Sequence, residues 1–345
     1  MINLTINGVK IEAEQGMTIY EAAQEAGIYI PVLCYHPDLS TFGACRVCMV
    51  EANGKLVTAC RFPVEEGMKV QTNTKEVQEV RLFNVELILA NHNQDCQTCV
   101  RNNNCKLQEV SSFVGIDLQR MERIRRFQVE TPVDDSNPFF HRDHSRCILC
   151  GICIRACEEI NGVAALDFAF RGYNTAVSVV GNKPLTESSC ESCGECMERC
   201  PTGALAPVKQ KTPEREVASV CPYCGVGCNI FLGVRGNEIV GVRGNKESPV
   251  NYGELCVKGR FGYDFVNHPE RLQKPLIKQK GEFVEASWDE ALDLVSERFK
   301  GIVDKNGANA LGALSSARCS NEENYLFQKL IRSLGTNNVD HCARL

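Results

Sequence analysis

Apolar and polar residues alternate at the start of the chain. Ile2–Ile6 (INLTI) and Val9–Glu12 (VKIE) flank Asn7-Gly8, which predicts a β-hairpin. Thr18 then caps a short helix over Ile19–Ala26 that Gly27 stops. A second hairpin pivots on Asn53-Gly54. From Lys75 to Asn91 the period changes. Val77, Val80, Val85, Ile88 and Leu89 recur at helical spacing, and the helix delivers His92 at its end. The glycines of GVRGNEIVGVRGN have the wrong spacing for a dinucleotide fingerprint and read as hairpin turns. Ser287-x-x-Glu290 and Ser320-x-x-Glu323 are capping boxes that open two late helices. The second follows a strand at Ala310–Ser316 and runs to about Leu334, with Gly335 as its stop. A strand, helix and loop in that order begin a doubly wound α/β domain.

The 345 residues suffice for two or three domains, and 43% hydrophobic with 23% charged residues excludes a disordered chain. A net charge of −5 excludes a basic nucleic-acid binder. No apolar run approaches the roughly 18 residues of a membrane span. The opening MINLTINGVKIEAEQG has neither a basic, apolar leader nor a twin-arginine signal, so a cytoplasmic location is expected. Twenty-one cysteines against a single tryptophan change the picture most. An odd number in a chain of this kind argues for metal ligation rather than a disulfide framework.

The cysteines fall in order: Cys34, Cys45, Cys48, Cys60; Cys96, Cys99, Cys105 with His92 upstream; Cys147, Cys150, Cys153, Cys157; Cys190, Cys193, Cys196, Cys200; Cys221, Cys224, Cys228, Cys256. Only Cys319 and Cys342 are left over, without a role and by default free thiols. Nineteen cysteines and one histidine make five groups of four. An isolated C-x2-C pair serves zinc as readily as iron. C-x2-C-x2-C-x3-C is different, and it occurs twice, as CILCGICIRAC and CESCGECMERC. This is the bacterial [4Fe–4S] run, in which the fourth cysteine ligates the other cluster. The expected sets are therefore Cys147, Cys150, Cys153 with Cys200, and Cys190, Cys193, Cys196 with Cys157. The first group, C-x10-C-x2-C-x11-C, follows a strand-strand-helix order and is expected to hold a [2Fe–2S] cluster in a β-grasp ferredoxin, although the plant-type spacing is C-x4-C-x2-C. His92-x3-Cys96-x2-Cys99-x5-Cys105 is expected to be a cubane with one histidine ligand, raised in potential by losing one negative charge. His36, His141, His144, His268 and His341 read as packing or local hydrogen-bonding residues.

CPYCGVGCNI followed by Cys256-Val257-Lys258-Gly259-Arg260 resembles the cluster domain of the molybdenum/tungsten bis(pterin guanine dinucleotide) oxidoreductases. The resemblance implies a fourth [4Fe–4S] cluster on Cys221, Cys224, Cys228 and Cys256, with Lys258 between cluster and pterin as an electron relay. The tail, SSARCSNEENYLFQKLIRSLGTNNVDHCARL, is similar to the segment leading into the metal ligand of formate dehydrogenases. It implies a Mo- or W-ligating cysteine or selenocysteine immediately after Leu345, and no catalytic residue within the chain. A UGA selenocysteine codon read as a stop is the expectation there. On this likeness the complete enzyme would interconvert formate and carbon dioxide. Its electrons would pass from the pterin side through both ferredoxin cubanes to the His92 cluster and the Cys34 centre.

The expected architecture is α+β and multidomain: a [2Fe–2S] domain at 1–77, a His-ligated [4Fe–4S] domain at 78–117, a connector at about 118–137, a 2[4Fe–4S] ferredoxin at 138–210, a [4Fe–4S] Mo/W-bisPGD-type domain at 214–270 and the start of an α/β molybdopterin oxidoreductase domain at 271–345. KQKTP at 209–213 is a short linker. Five clusters would add roughly −9 to the protein's charge. Arg46, Arg101, Lys106, Arg142, Arg146 and Arg155 are the cations placed to offset it. With no dinucleotide fingerprint, the expected partner is a flavin- or NAD(P)-binding subunit, a hydrogenase or a ferredoxin. The first 210 residues also resemble iron-only hydrogenases and the large iron–sulfur subunit of NADH dehydrogenase. A stand-alone multi-cluster carrier is the remaining alternative.

Overall fold

The structure is a computed structural model that describes residues 1–116, 121, 133–209 and 211–341. It divides into two compact units, residues 1–209 and 210–345. In the first, β1 (Ile2–Ile6) and β2 (Val9–Ala13) form the expected hairpin, with Ile6 opposite Val9. Asn7 and Gly8 both take positive φ, as a two-residue turn of this hand requires. Helix α1 (Ile19–Glu25) starts at a complete Thr18/Glu21 capping box. β3 (Met49–Ala52), β4 (Lys55–Thr58) and β5 (Lys69–Gln71) complete a sheet ordered β2-β1-β5-β3-β4, in which β1 and β5 run parallel. Leu4, Ile6, Ile11, Ile19, Val50, Met68 and Val70 fill its core, so this module has an apolar interior of its own.

Helix α2 (Lys75–Ala90) is N-capped by Thr74 and ends at Asn91, one residue before His92. Val77 and Val85 are buried as the periodicity predicts, and so is Arg81, which donates to Met49 O and Thr72 O. Helix α3 (Lys106–Val114) packs against α2 through Leu107 and Val110. The 118–137 connector falls mostly outside the described residues. Its end belongs to the ferredoxin region, since Asp134 pairs with Arg142 by two backbone hydrogen bonds of 2.9 Å. There β6 (Phe140–Arg142) meets β9 (Leu205–Pro207), and β7 (Asp167–Ala169) meets β8 (Ala176–Ser178). Two short helices, α4 (Ile152–Arg155) and α5 (Glu195–Glu198), each follow a cysteine loop, and a π turn at Ala156–Ile160 extends α4.

In the second unit, β10 (Arg215–Val220), β11 (Asn229–Arg235) and β12 (Glu238–Gly244) make an antiparallel sheet whose β11–β12 turn falls at Gly236, within GVRGNEIVGVRGN. Helix α6 (Val257–Phe261) starts from Cys256. The hairpin β13 (Leu276–Gln279) and β14 (Glu282–Glu285) precedes α7 (Trp288–Asn306). β15 (Ala313–Ser315), α8 (Asn321–Ser333) and β16 (Val339–His341) form a parallel βαβ unit, and both predicted capping boxes are present. β15 is shorter than Ala310–Ser316, because Ala308–Ala310 turns as a 3-10 helix after Gly307 at φ +79°. Strand persists only where β16 supplies partners. No residue of α7 is buried, and no helix among the described residues is long and apolar enough to cross a membrane.

Candidate metal centres

The two C-x2-C-x2-C-x3-C runs fold as copies of one loop. Leu149 and Gly151 in the first, and Ser192 and Gly194 in the second, take positive φ of 52°, 69°, 58° and 79°. This turns backbone N–H groups inward: Leu149 N lies 3.4 Å from Cys147 Sγ, and Ser192 N lies 3.4 Å from Cys190 Sγ. Gly151 is also closely packed, since a Cβ would sit 3.1 Å from the Phe42 ring. The fourth cysteine of each run leaves its own loop. The π turn carries Cys157 away, and one cavity is walled by Cys157, Cys190, Cys193 and Cys196. The other is walled by Cys147, Cys150, Cys153 and Cys200. Each cavity thus brings together the four cysteines of one crossed set.

Burial governs the chemistry of these thiols. Burial, then the charge of Cys200, pushes Cys147 up to about 11, and burial raises Cys150, Cys153 and Cys196 strongly. Four buried thiolates need a cation among them, and iron replacing their protons supplies it. Besides the backbone donors, Ala165 N reaches Cys157 Sγ at 3.2 Å, and Asn161 Nδ2 donates to Cys193 Sγ. Asn161 is a residue that sequence reasoning missed. Its signal was Asn161-Gly162, which reads only as a turn.

At the first group, Cys34, Cys48 and Cys60 are each no more than 2% exposed. The Cys34 thiol is within hydrogen-bond reach of Cys45 and Cys60, and Cys60 is within reach of Cys48. Backbone N–H groups of Cys45 and Ala44 point at Cys34, and that of Val47 points at Cys45. Among Cys96, Cys99 and Cys105, Cys105 feels the charge of the other two. His92 is 7% exposed and its Nδ1 is buried without a hydrogen-bond partner. Burial, and then the Arg146 charge, lowers its pKa to about 4, so the ring is neutral and keeps a lone pair. At the last group, Cys221 and Cys228 feel Cys224 and Cys256. Lys258 is exposed in the first turn of α6, and Cys221 Sγ would lie 3.6 Å from a Cβ at Gly259.

Among the described residues no three His, Cys, Asp or Glu side chains close on one point, as a single ion requires. A cubane does not ask for that, because its four ligands bind four separate irons. The residues present thus fit [2Fe–2S] and [4Fe–4S] groups in donor chemistry, and the Cys34 set and the two ferredoxin sets also in burial and inward N–H donors, whereas Cys224 and Cys256 of the last group are exposed. Cys319 donates its backbone N–H to Ser316 O within the β15–α8 loop, and Cys342 lies outside the described residues. Of the remaining histidines, His36 Nδ1 stands 3.6 Å from Asp38, His268 Nδ1 accepts from Glu270 N, and His144 lines the cavity walled by the Cys147 set.

Contacts between modules of the first unit set which sets are neighbours. Arg155, 7% exposed, donates to Cys34 O at 2.7 Å and to Ser40 O, and stacks on Phe42. Cys34 and Cys150 fall in one buried cluster. On another side, Asn93 N bonds Ser145 O at 2.8 Å and Lys106 N bonds Pro201 O at 3.0 Å. A Cβ at Gly203 would lie 2.6 Å from Cys99 Sγ, so only glycine allows that approach. Cys153 feels the charge of Cys196. The Cys147/Cys150/Cys153/Cys200 set therefore adjoins the other three, and Cys45 and Cys105 also pack on one buried cluster. Arg146 pairs with Asp143 at 3.1 Å and reaches Asp95 O, and Arg101 donates to Met197 O, so these cations tie modules together. Lys106 pairs with Glu109 at 2.7 Å, and Arg46 is exposed.

Residues 1–75 match the family described as 2Fe-2S iron-sulfur cluster binding domain, and 81–120 match the NADH-ubiquinone oxidoreductase-G iron-sulfur binding region. Residues 137–206 match the NADH-quinone oxidoreductase subunit 3 ferredoxin-like domain. Residues 214–268 match the molybdopterin oxidoreductase Fe4S4 domain, and 271–345 match molybdopterin oxidoreductase. The chain is thus an iron–sulfur region, with the start of the pterin domain, of a molybdopterin oxidoreductase of the NADH-quinone oxidoreductase G / formate dehydrogenase type. It is 39% identical over its whole length to NADPH-Fe(3+) oxidoreductase subunit alpha of Geobacter sulfurreducens, spanning 40% of that protein. It is 34% identical over 99% of its length to YrhE of Bacillus subtilis, which carries the provisional name of a formate dehydrogenase, and again spans 40%. A chain in the crystal structure of an NAD+-reducing [NiFe]-hydrogenase in the H2-reduced state matches 60% of this chain and 87% of its own, at 31% identity and a TM-score of 0.56. The chain spans about 40% of the length of the curated relatives it matches.

Proposed function

We propose that this chain is the electron-transfer portion of a formate dehydrogenase catalytic subunit, joining a Mo- or W-bis(pterin guanine dinucleotide) centre in the rest of the protein to a partner that takes up the electrons. The observation that carries the relay is the contiguity of four ligand sets in the first unit, with Cys147, Cys150, Cys153 and Cys200 adjoining the other three. The clusters, when bound, supply one-electron redox centres. The protein's share is to keep them dry, fixed and close. Buried thiols ligate, inward N–H groups from Leu149, Ser192 and Ala165 stabilise the electron-rich sulfurs, and Arg155 locks the Cys34 loop to α4. His92 would ligate as neutral imidazole. Lys258, exposed beside Cys256, would face the pterin side. The apolar side chains that α7 and α8 leave in solvent, among them Trp288, Leu292 and Leu326, would be covered by the rest of the pterin domain. The metal's protein ligand, a cysteine or selenocysteine, would follow Leu345.

Formate is favoured by the likeness of the Ser315–Leu345 segment to formate dehydrogenases. A second reading has its own support. NADPH-Fe(3+) oxidoreductase subunit alpha at 39% identity, and a Rhizobium meliloti relative named as part of an NADH-quinone oxidoreductase at 38%, both exceed the 34% of YrhE. On that reading the chain relays electrons from a nicotinamide-oxidising partner and does no formate chemistry. Anaerobic addition of formate to the full-length protein separates the two. Formate bleaching the clusters, with Mo or W present at stoichiometry, is the expected result. Clusters that stay oxidised with formate but bleach with NADPH or NADH and the partner subunit would establish the second reading. These 345 residues alone should show cluster signals and no formate oxidation.

A further inference from the structure

The two ferredoxin cavities share a wall. Arg142, Leu166 and Leu205 line both, and among the described lining residues Arg142 is the only arginine or lysine in either. It is 6% exposed. Its fork is fixed from behind: Nη1 donates to Val177 O at 3.0 Å and Nη2 to Asp134 Oδ2 at 3.0 Å. The third donor, Nε, is buried and has no partner. Asp134 is anchored in turn, accepting from Leu185 N at 3.1 Å and Ser136 N at 3.2 Å. His144 lines the first cavity too, but burial and the Arg142 charge hold its pKa down, so it brings no charge of its own. The carboxylates nearby are Asp143, paired with Arg146, and Glu191 at the second cavity. An open donor is costly to bury, and Arg142 Nε stays without a protein partner in the partition between the two cysteine-lined cavities.

We propose that Arg142 is a positioning residue shared by the two ferredoxin-type clusters, a buried cation that raises both reduction potentials together, with Asp134 setting how much of its charge they feel. This rests on the reading that both cavities hold [4Fe–4S] clusters. Reduction adds one electron to a centre already near −2, so a fixed positive charge in the wall favours the reduced form of each. Buried as it is, salt screens it little. Neutralising Asp134 removes the counter-charge and should move both clusters the opposite way.

The test is a redox titration followed by EPR on the full-length protein, wild type and variants, with iron and sulfide measured in each. Arg142→Gln should lower both ferredoxin-type clusters. The reduced-to-oxidised ratio at fixed ambient potential should fall at least tenfold, which for a one-electron couple is about 59 mV. Arg142→Lys should shift them less, and Asp134→Asn should raise both. Movement of only one cluster, movement of neither, or a fall with Asp134→Asn would each overturn the proposal. If Arg142→Gln fails to assemble, the signs of the shifts in Arg142→Lys and Asp134→Asn decide it. A wild-type protein lacking these two cubane signals defeats the underlying reading instead, and is recognised by its iron content.

Discussion

At the residue scale, one atom in each site sets the charge the protein offers. His92 presents a neutral imidazole whose Nδ1 is buried and unpartnered. Replacing it by cysteine adds a negative charge, so His92→Cys should lower the potential of that cluster while iron content stays the same. Redox-titrated EPR checks this, and an unchanged potential would remove His92 from the ligand set. Asn161 acts on the opposite side, donating to Cys193 Sγ. Asn161→Ala should lower the potential of the Cys157/Cys190/Cys193/Cys196 cluster and leave the Cys34 centre where it is; equal shifts in both would point to a general loss of structure. The cysteines and His92 stood out in the sequence because the spacing of candidate ligands is a local property of the chain. Asn161 and Gly203 were not. Their roles arise from where a π turn and a neighbouring module bring Cys193 and Cys99, which no spacing records.

At the element scale, the ligand loops matter more than the helices and strands around them. Gly151 holds φ +69° with the Phe42 ring 3.1 Å from where a Cβ would sit. Gly151→Ala should cost about 1–2 kcal/mol for the left-handed backbone alone, and the crowding against Phe42 adds to it. Chemical denaturation of the iron-loaded protein, scored by loss of cluster absorbance, should show a lower midpoint; an unchanged one would mean that the loop relaxes freely. Leu149 and Ser192 hold the same left-handed conformation without glycine's freedom, and nothing in their identity announced it. By contrast, the Asn7-Gly8 and Asn53-Gly54 turns, the Thr18 cap and the boxes at Ser287 and Ser320 were plain in the sequence. Each is fixed by residues within four positions of one another. Arg81 on α2 shows the limit of periodicity, since a charged residue occupies a core position by reaching two backbone carbonyls.

At the scale of the whole molecule, the modules differ in how far they depend on metal. The β-grasp sheet closes over an apolar core that runs from Leu4 to Val70, whereas the ferredoxin region is built around its cavities. The ligand count alone suggests an apo chain that is largely unfolded; the packing divides it. Removing iron with a chelator should abolish hydrogen-exchange protection across 138–209 and leave much of it in β1 and β5. Loss of protection in both at once would show that the β-grasp sheet also depends on its cluster. That iron–sulfur modules precede the start of a molybdopterin oxidoreductase domain was legible because the modules carry motifs of their own. The neighbours of the Cys147 set were not, because they depend on Arg155, Lys106 and Gly203 meeting partners far away in sequence. The central claim is that five ligand sets hold five clusters, and iron and acid-labile sulfide analysis of the anaerobically purified protein, joined to Mössbauer spectroscopy, tests it most directly. One [2Fe–2S] and four [4Fe–4S] clusters require about 18 irons and about 18 sulfides per chain. Stoichiometric zinc in place of iron, or a folded protein with iron for fewer than five clusters, would contradict it.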